Sequence, residues 1–198
     1  MLARGPNLTL RYPEPGDAAR LFELAAYPGV TRHFSWRYER VEDARRWIDS
    51  RPASREAGGW LEWVIEHREH GVTGVTGLTE PSRRDRRAVT GSWLGSAFWG
   101  TGVNTESKAL LARIAFEGLG LDRLGSYAGP RNERSRGALL KLGFVHEGTL
   151  RHYHHHNGRS LDVDVFSLLR DEWPASPLGR VPGTVEGEGP AAFRAAGD

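Results

Sequence analysis

The amino-acid sequence predicts a mixed α/β (α+β) domain built around one sheet. Strand-like and helix-like segments follow one another in the order strand, two helices, three strands, helix, strand, helix, two strands. A chain of 198 residues is long enough for one buried core. A glycine-containing turn over residues 98–106 joins a predicted strand to a predicted helix near the middle of the chain. We therefore expect one domain over residues 1–173, organised around that turn.

The composition excludes several classes of function and site. The chain has 27 basic and 25 acidic side chains, so its formal net charge of +2 gives no reason to expect nucleic acid or a membrane as a partner. It has no cysteine, which rules out disulfides, thiolate metal ligands and a cysteine nucleophile. No apolar run is long enough to span a bilayer, and the N-terminus lacks an apolar signal core. We expect a cytoplasmic protein.

The first quarter of the chain predicts a strand and two helices. Residues 8–11 alternate as a short strand, and Asp17 has the chemistry to cap a helix over residues 17–27. A second helix over residues 42–51 is expected to end before Pro52. Between the helices, residues 30–40 mix aromatic and basic side chains without a clean period, and they form either a cover over the core or the wall of a binding site.

Three strands come next, over residues 60–66, 72–78 and 89–94. The arginine-rich residues 83–87 fall between the last two strands. The simplest interpretation is a solvated hairpin tip, and a nucleic-acid contact is the alternative.

The second half predicts two helices and three strands. The helix over residues 104–119 has leucine, isoleucine and alanine on one side, with Lys108 and Arg113 placed to face water. A strand follows at residues 123–128, and Asn132 can cap a helix that ends at Gly143. Strands at 144–150 and 162–169 are joined by a histidine-rich connection.

Residues 174–198 alternate proline and glycine and contain little to bury. That composition is typical of a disordered tail. We expect this segment to lie outside the domain.

The glycine turn has the features of an anion site. Gly100 and Gly102 remove side chains from the tightest part of the turn, and Asn104 and Thr105 can cap the helix that follows. Backbone N–H groups at a helix N-terminus bind anions, most often phosphate. A turn without any ligand is the alternative on spacing alone. The spacing does not fit a dinucleotide fold, because Thr105 replaces the third glycine and Asp122 begins the next strand, and a P-loop Gly-Lys-Ser/Thr is absent.

Three sequence blocks together are more specific than the turn. They read FWGTGVNTE over residues 98–106, RNERS over 131–135 and KLGFVHEG over 141–148. In this order and at these separations they resemble the GNAT N-acetyltransferases of the RimJ/RimL branch, over about residues 8–173. The resemblance implies a GNAT fold, in which a single mixed, mainly antiparallel twisted sheet flanked by helices splays open around acetyl-CoA.

The resemblance also implies where acetyl-CoA binds. The family's diphosphate pattern falls on residues 99–104; Gly102 matches it, whereas Trp99 and Asn104 depart from its first and last positions, the tryptophan being normal for this branch. The strand at Trp93 and Leu94 would pair with the pantetheine arm, and one of its amides would polarise the thioester carbonyl. The cofactor contacts implied by the resemblance are Trp93, Leu94, Trp99, Gly100, Thr101, Gly102, Val103, Asn104, Thr105, Asn132 and Ser135.

Acyl transfer needs an acid for the departing thiolate and a base for the attacking amine. Many GNAT enzymes use a tyrosine as the acid, but Leu139 occupies its place here, so Ser135 or a water is the candidate. Helix capping is the alternative role for Asn132 and Ser135. His154, just before the Asn157-Gly158 turn, is the candidate base, since histidine titrates near neutral pH. Solvated loop histidines, a metal site and substrate contacts are the alternatives for this segment.

The implied function is direct transfer of an acetyl group from acetyl-CoA to a primary amine. The acceptor is a protein N-terminus, such as that of a ribosomal protein, or a small amine, with Trp36 and His154 as substrate-binding residues. No metal is expected, and a homodimer is left open. The alternative is a catalytically weak acyl-CoA-binding sensor or partner-binding module of the same fold.

Overall fold

One sheet of nine strands dominates the computed structural model, which describes residues 1–32, 34, 36–156 and 158–196. The strands are β1 (Leu2–Arg4), β2 (Leu8–Arg11), β3 (Trp60–His67), β4 (Gly71–Ser82), β5 (Arg87–Leu94), β6 (Arg123–Ala128), β7 (Val145–His156), β8 (Arg159–Leu169) and β9 (Thr184–Glu186). Across the sheet they lie in the order β7-β8-β6-β5-β4-β3-β2-β1-β9.

Helices flank this sheet. They are α1 (Ala18–Ala25), α2 (Pro28–Thr31), α3 (Val41–Glu56), α4 (Val103–Arg113) and α5 (Glu133–Lys141), with a π-helical turn at Ile114–Gly118 and 3-10 turns at Pro15–Asp17, Ser96–Phe98 and Trp173–Ala175. The predicted helices and strands are all present, and the open mixed sheet flanked by helices confirms the predicted fold class.

Strands β5 and β6 are parallel, whereas the other neighbouring strands of the described chain pair antiparallel. The parallel pairing begins at Arg87 and Arg123 and ends at Thr90 and Ser126. Beyond that point β5 continues to Leu94 and β6 to Ala128 without pairing to each other in the described structure. The sheet therefore opens at its centre.

The core lies between the sheet and its helices. Helix α3 packs on α1 and β3, while α4 packs against β1, β2 and β4. Glu106 fixes the start of α4 to the start of β2, because its carboxylate accepts hydrogen bonds from the backbone N–H groups of Asn7 and Leu8 at 2.7 and 2.8 Å. The largest fully buried side chains include Leu10, Leu21, Trp63, Leu110, Leu111, Phe116, Phe166 and Phe193.

Two expectations for the helices were wrong. Helix α3 continues through Pro52 to Glu56 rather than ending before the proline. Lys108 does not face water: it is only 5% exposed, and Arg113 is half-buried with its guanidinium 5.2 Å from the ring of Trp173. Six consecutive residues of α4, from Ser107 to Ala112, are buried, so this helix is enclosed on more than one side.

The structure also corrects the expectation of disorder for the tail, as far as residue 196. Strand β9 pairs with β1, and Leu178 and Phe193 are 0% and 1% exposed. The glycines of the tail, which suggested disorder, instead allow its backbone to pack closely against the domain. A Cβ atom at Gly189 would lie 2.2 Å from the side chain of Leu119. Two buried side chains and a strand pairing hold this short segment on the domain. The last two residues lie outside the described part of the chain.

Within the described residues, no helix has the length and apolar character required to cross a membrane.

Candidate active site

A cleft opens where β5 and β6 separate. Residues 91–94 of β5 keep their partners in β4, but in the described chain they have none on the β6 side. Residues Tyr127 and Ala128 of β6 likewise pair only with β8. Free backbone N–H and C=O groups along a strand edge can hold an extended ligand as an added strand.

A cavity of about 430 Å³ fills this cleft. Its walls come from both strands, from the turn before α4 and from one face of α5, where Ser135, Ala138, Leu139 and Leu142 follow helical spacing. The other lining residues are Val30, Phe34, Thr90, Gly91, Ser92, Trp93, Leu94, Trp99, Gly100, Asn104, Lys108, Ser126, Tyr127, Ala128, Gly129, Asn132, Arg134, His154 and Val163.

The glycine turn forms one end of the cleft. Gly100 and Gly102 have φ angles of 77° and 92°, in the left-handed region that disfavours side chains. A Cβ atom at either position would have no heavy atom within 4 Å, so the space beside the turn is open. Helix α4 begins at Val103 with Gly102 as its N-cap, and no side chain caps it. The expected capping by Asn104 or Thr105 is therefore wrong: both residues lie within the first turn, whose N–H groups remain available for an anion.

The side chain of Trp99 connects the glycine turn to neighbouring elements of the cleft. Its indole N–H donates to the carbonyl oxygen of Leu94 at 3.0 Å, which ties the turn to the end of β5. The guanidinium of Arg134, from the start of α5, lies 3.6 Å from the centre of the Trp99 ring. Partial burial, together with the nearby charge of Arg32, lowers the pKa of Arg134. One cationic side chain, that of Arg134, thus lies against Trp99 of the turn, where it can attract an anionic group.

Comparison with known proteins decides the family. A family model described as "Acetyltransferase (GNAT) domain" matches residues 7–145. The chain belongs to the GNAT acetyltransferase family. It is 31% identical over 166 residues to the uncharacterised N-acetyltransferase YoaA of Bacillus subtilis (strain 168), which covers 83% of this chain and 94% of the relative.

Two further proteins are similar to this chain. The chain is 37% identical over 89 residues to B. subtilis YdaF, named as a proposed ribosomal N-acetyltransferase, covering 45% of this chain and 49% of the relative. The solved structure of Mycobacterium smegmatis RimJ in complex with CoA-disulfide superposes with a TM-score of 0.78 at 23% identity, covering 91% of each chain. That structure supports the fold.

As a GNAT acetyltransferase, this enzyme uses acetyl-CoA. The residues present fit that cofactor, because an open glycine turn at a helix N-terminus suits a diphosphate and a free strand edge leads away from it. Eight of the predicted site residues line the cleft cavity: Trp93, Leu94, Trp99, Gly100, Asn104, Asn132, Ser135 and His154. Thr101, Gly102, Val103 and Thr105 belong to the same turn and helix start without lining the cavity.

Asn132 and Ser135 lie at the start of α5. The Asn132 side chain caps the helix by accepting the backbone N–H of Ser135 at 3.3 Å. The Ser135 hydroxyl has no hydrogen-bond partner among the residues that the structure describes. Its half-buried side chain borders the cavity, so the hydroxyl is available to a ligand.

His154 lies on β7 at the other rim of the cavity. Its exposed ring meets the ring of Tyr127 edge-on at 5.8 Å. Asn157 of the predicted turn lies outside the described residues. No group of three or more histidine, aspartate or glutamate side chains suited to a metal ion occurs in the described chain.

Trp36 lies in a second concavity of about 800 Å³, between α1, α2 and the segment that leads to α3. Its ring contacts the ring of Trp93 edge-on at 5.8 Å, and Phe34 lines both this concavity and the cleft cavity. The predicted acceptor wall therefore adjoins the predicted cofactor strand.

Lys108, Tyr127 and Arg134 are among the cavity residues that sequence reasoning did not assign to the site. The Tyr127 hydroxyl lies 3.2 Å from the Glu80 carboxylate and 3.2 Å from the Tyr153 hydroxyl. Partial burial and the hydrogen bond with Tyr153 raise its pKa, so the phenol stays protonated and can donate a hydrogen bond. Its partner strands are distant in sequence, and no local pattern could have signalled this cluster.

Proposed function

We propose that this enzyme belongs to the RimJ/RimL-like branch and transfers the acetyl group of acetyl-CoA to the primary amine of a protein N-terminus. The observation that carries the proposal is the second concavity, which meets the cofactor cavity at Phe34. Its volume of about 800 Å³ and its aromatic and charged walls suit several residues of a peptide. The name of the relative YdaF points to a ribosomal acceptor of this kind.

The chain's own groups would hold the cofactor at both ends of the cleft. Backbone N–H groups from Gly100 to Thr105 bind the diphosphate, and the edge of β5 at Trp93 and Leu94, which does not pair with β6 in the described structure, aligns the pantetheine arm. Acetyl-CoA supplies an activated thioester. A backbone N–H of β5 stabilises the negative charge that develops on the carbonyl oxygen, since donors fixed in place are effective at that task.

Two side chains would move the protons. His154 accepts the proton of the attacking amine at the exposed rim of the cavity, from which the proton reaches solvent. The Ser135 hydroxyl, which has no other partner in the described structure, donates a hydrogen bond to the departing sulfur. Trp36 forms the wall against which the acceptor packs.

The test is an acceptor screen. The purified enzyme is incubated with acetyl-CoA and a panel of peptides with free N-termini and of small primary amines, while free thiol is followed and products are identified by mass. The matched control is each peptide with its N-terminus already acetylated. We expect thiol release with free N-termini and none with the blocked peptides.

Other outcomes separate the alternatives. Turnover with small amines and none with peptides would contradict the acceptor assignment. Binding of acetyl-CoA without turnover on any amine would contradict the enzyme assignment in favour of a sensor. The cytoplasmic location and the homodimer remain predictions.

A further inference from the structure

Lys108 lies at the closed end of the cofactor cleft. Its ammonium group is 2.7 Å from the hydroxyl of Thr90, and Thr90 and Ser126 are the last paired residues before β5 and β6 separate. Both of these residues and Lys108 line the cavity, and Lys108 is only 5% exposed. A lysine carries three N–H donors when charged, so the bond to Thr90 leaves two for a ligand.

No carboxylate neutralises this lysine. Among the residues that the structure describes, its one hydrogen-bond partner is the neutral Thr90 hydroxyl, and no acidic side chain forms an ion pair with it. Burial without a counter-charge is costly for an ammonium group. Only two of the 27 basic side chains in the sequence are lysines, the other being Lys141, which is exposed. Apart from Lys141, all the other basic side chains are arginines, yet the most buried cationic position is a lysine.

A CoA arm that runs along β5 from the glycine turn would bring its acyl group toward Lys108. The diphosphate site is at the glycine turn, near the C-terminal end of β5. From Leu94 back to Thr90, the free edge of β5 runs for about 13 Å at the usual rise of a strand. The thioester end of an extended arm bound along this edge therefore points toward Thr90 and Lys108.

We propose that Lys108 enables the cleft to bind, in addition to acetyl-CoA, acyl-CoA thioesters whose acyl group ends in a carboxylate, with succinyl-CoA as the representative donor. An acetyl methyl group offers no acceptor to the two free N–H donors of Lys108. A carboxylate at the end of a short acyl chain supplies both the missing counter-charge and the hydrogen-bond acceptors. This inference rests on the proposed function, since it assumes that the cleft holds the CoA arm as described.

The transfer step is the same for a succinyl group as for an acetyl group. The amine nitrogen forms a bond to the thioester carbon, the carbon–sulfur bond breaks, and the amine's proton is released as the CoA thiol gains one. The products are an N-succinyl amide and CoA. The distal carboxylate stays unreacted throughout, paired with Lys108.

The test measures binding of acyl-CoA without an acceptor, by titration calorimetry. Succinyl-CoA is compared with butyryl-CoA, which has a four-carbon chain without the carboxylate. For the unsubstituted enzyme we expect tighter binding of succinyl-CoA. In Lys108→Met, which keeps the length of the side chain, the ratio of the two dissociation constants should fall about tenfold to a hundredfold, as for loss of a charged hydrogen bond. Lys141→Met is the matched control and should leave the ratio unchanged.

Two results would overturn the inference: an unsubstituted enzyme that binds butyryl-CoA at least as tightly as succinyl-CoA, or a ratio that is the same in Lys108→Met. CoA itself and acetyl-CoA are titrated in parallel. If neither binds, the proposed function fails at the cofactor site. If both bind and acetyl transfer occurs without preference for succinyl-CoA, only the role of Lys108 fails.

Discussion

The ammonium group of Lys108 lies 2.7 Å from the Thr90 hydroxyl, at the point where the two central strands part. Burial lowers the pKa of Lys108 to about 7. Below that pH the folded protein holds a buried, unpaired charge, and above it the amine is neutral. The contact lies where the sheet opens, and the charge of Lys108 affects both ligand binding in the cleft and the stability of the fold.

In the Lys108→Met variant, the free energy of unfolding should lose the increase between pH 7 and 9 that Lys108 contributes in the unsubstituted protein. Between pH 7 and 9 the unfolded chain keeps the lysine protonated while the folded chain does not, so the free energy of unfolding gains up to about 1.4 kcal/mol per pH unit from this group. We expect denaturant unfolding to show this gain in the unsubstituted protein and not in the variant. The other ionisable side chains that line the cavity, Tyr127, His154 and Arg134, are present in both proteins, so the comparison isolates the contribution of Lys108. Parallel pH profiles for the two proteins would contradict the expectation.

The Gly102→Ala variant should bind acetyl-CoA more weakly. An alanine at a φ of 92° is strained by about 1 kcal/mol, and its methyl group enters the open space beside the turn. Gly71→Ala is the matched control, because Gly71 has a φ of 64° and similarly open surroundings but lies at the start of β4, outside the glycine turn. Both variants should be destabilised by a similar amount, while only Gly102→Ala should raise the dissociation constant of acetyl-CoA. Equal affinities would contradict a diphosphate site at this turn.

The Ser135→Ala variant should lower the turnover number with little effect on acetyl-CoA affinity. Loss of a positioned proton donor costs about 10²-fold or more in rate, and the hydroxyl has no structural partner in the described chain. Steady-state rates at saturating substrate, with calorimetry for the cofactor, separate the two effects. Ser160→Ala, at an exposed position of β8, is the control. A turnover number unchanged under saturation removes Ser135 from the mechanism.

The His154→Ala variant should change the pH dependence of kcat/KM. If His154 is the base, the limb of the profile that falls toward acidic pH disappears with the imidazole. His155→Ala is the control, because His155 is the adjacent exposed residue of β7 and does not line the cavity. Profiles of the same shape in His154→Ala and the unsubstituted enzyme would assign the base elsewhere.

The Phe193→Ala variant should destabilise the whole domain. Phe193 is 1% exposed, and truncation of a buried phenylalanine costs about 3 kcal/mol or more. Its exposed neighbour supplies the control, since Arg194→Ala should change the free energy of unfolding by less than about 0.5 kcal/mol. Denaturant melts give both values. A loss no larger than that of Arg194→Ala would show that the tail contributes little to the core.

Local patterns were sufficient to predict most of the fold. The alternation of residues 8–11 and the capping residue Asn132 each gave an element that the structure contains, because period and capping depend on near neighbours in sequence. The edge strand Thr184–Glu186 was missed for the opposite reason. Its partner is at the N-terminus, Leu2–Arg4, and nothing local distinguishes a paired segment of three residues from an irregular one.

The residues of the candidate site also fall into two groups: those with a local sequence signal and those brought together only by the tertiary structure. The turn around Gly100 and Gly102 carries its own signal, since the backbone conformation requires glycine there. Lys108 was assigned to the wrong surface because helical period alone cannot tell a helix enclosed on several sides from one with a solvated face. The cluster of Glu80, Tyr127 and Tyr153 joins three strands and has no sequence signature.

The sequence alone determined the kind of domain and the glycine turn, because strand period, helix capping and the glycine conformation are properties of short segments. The tertiary structure decided what lies inside the opened sheet. It brought the amine of Lys108 to Thr90, and it set the indole of Trp36 against Trp93. It also placed Phe193 in the core. Each of these is a contact between residues far apart in the chain, whose burial depends on the packing of the whole sheet.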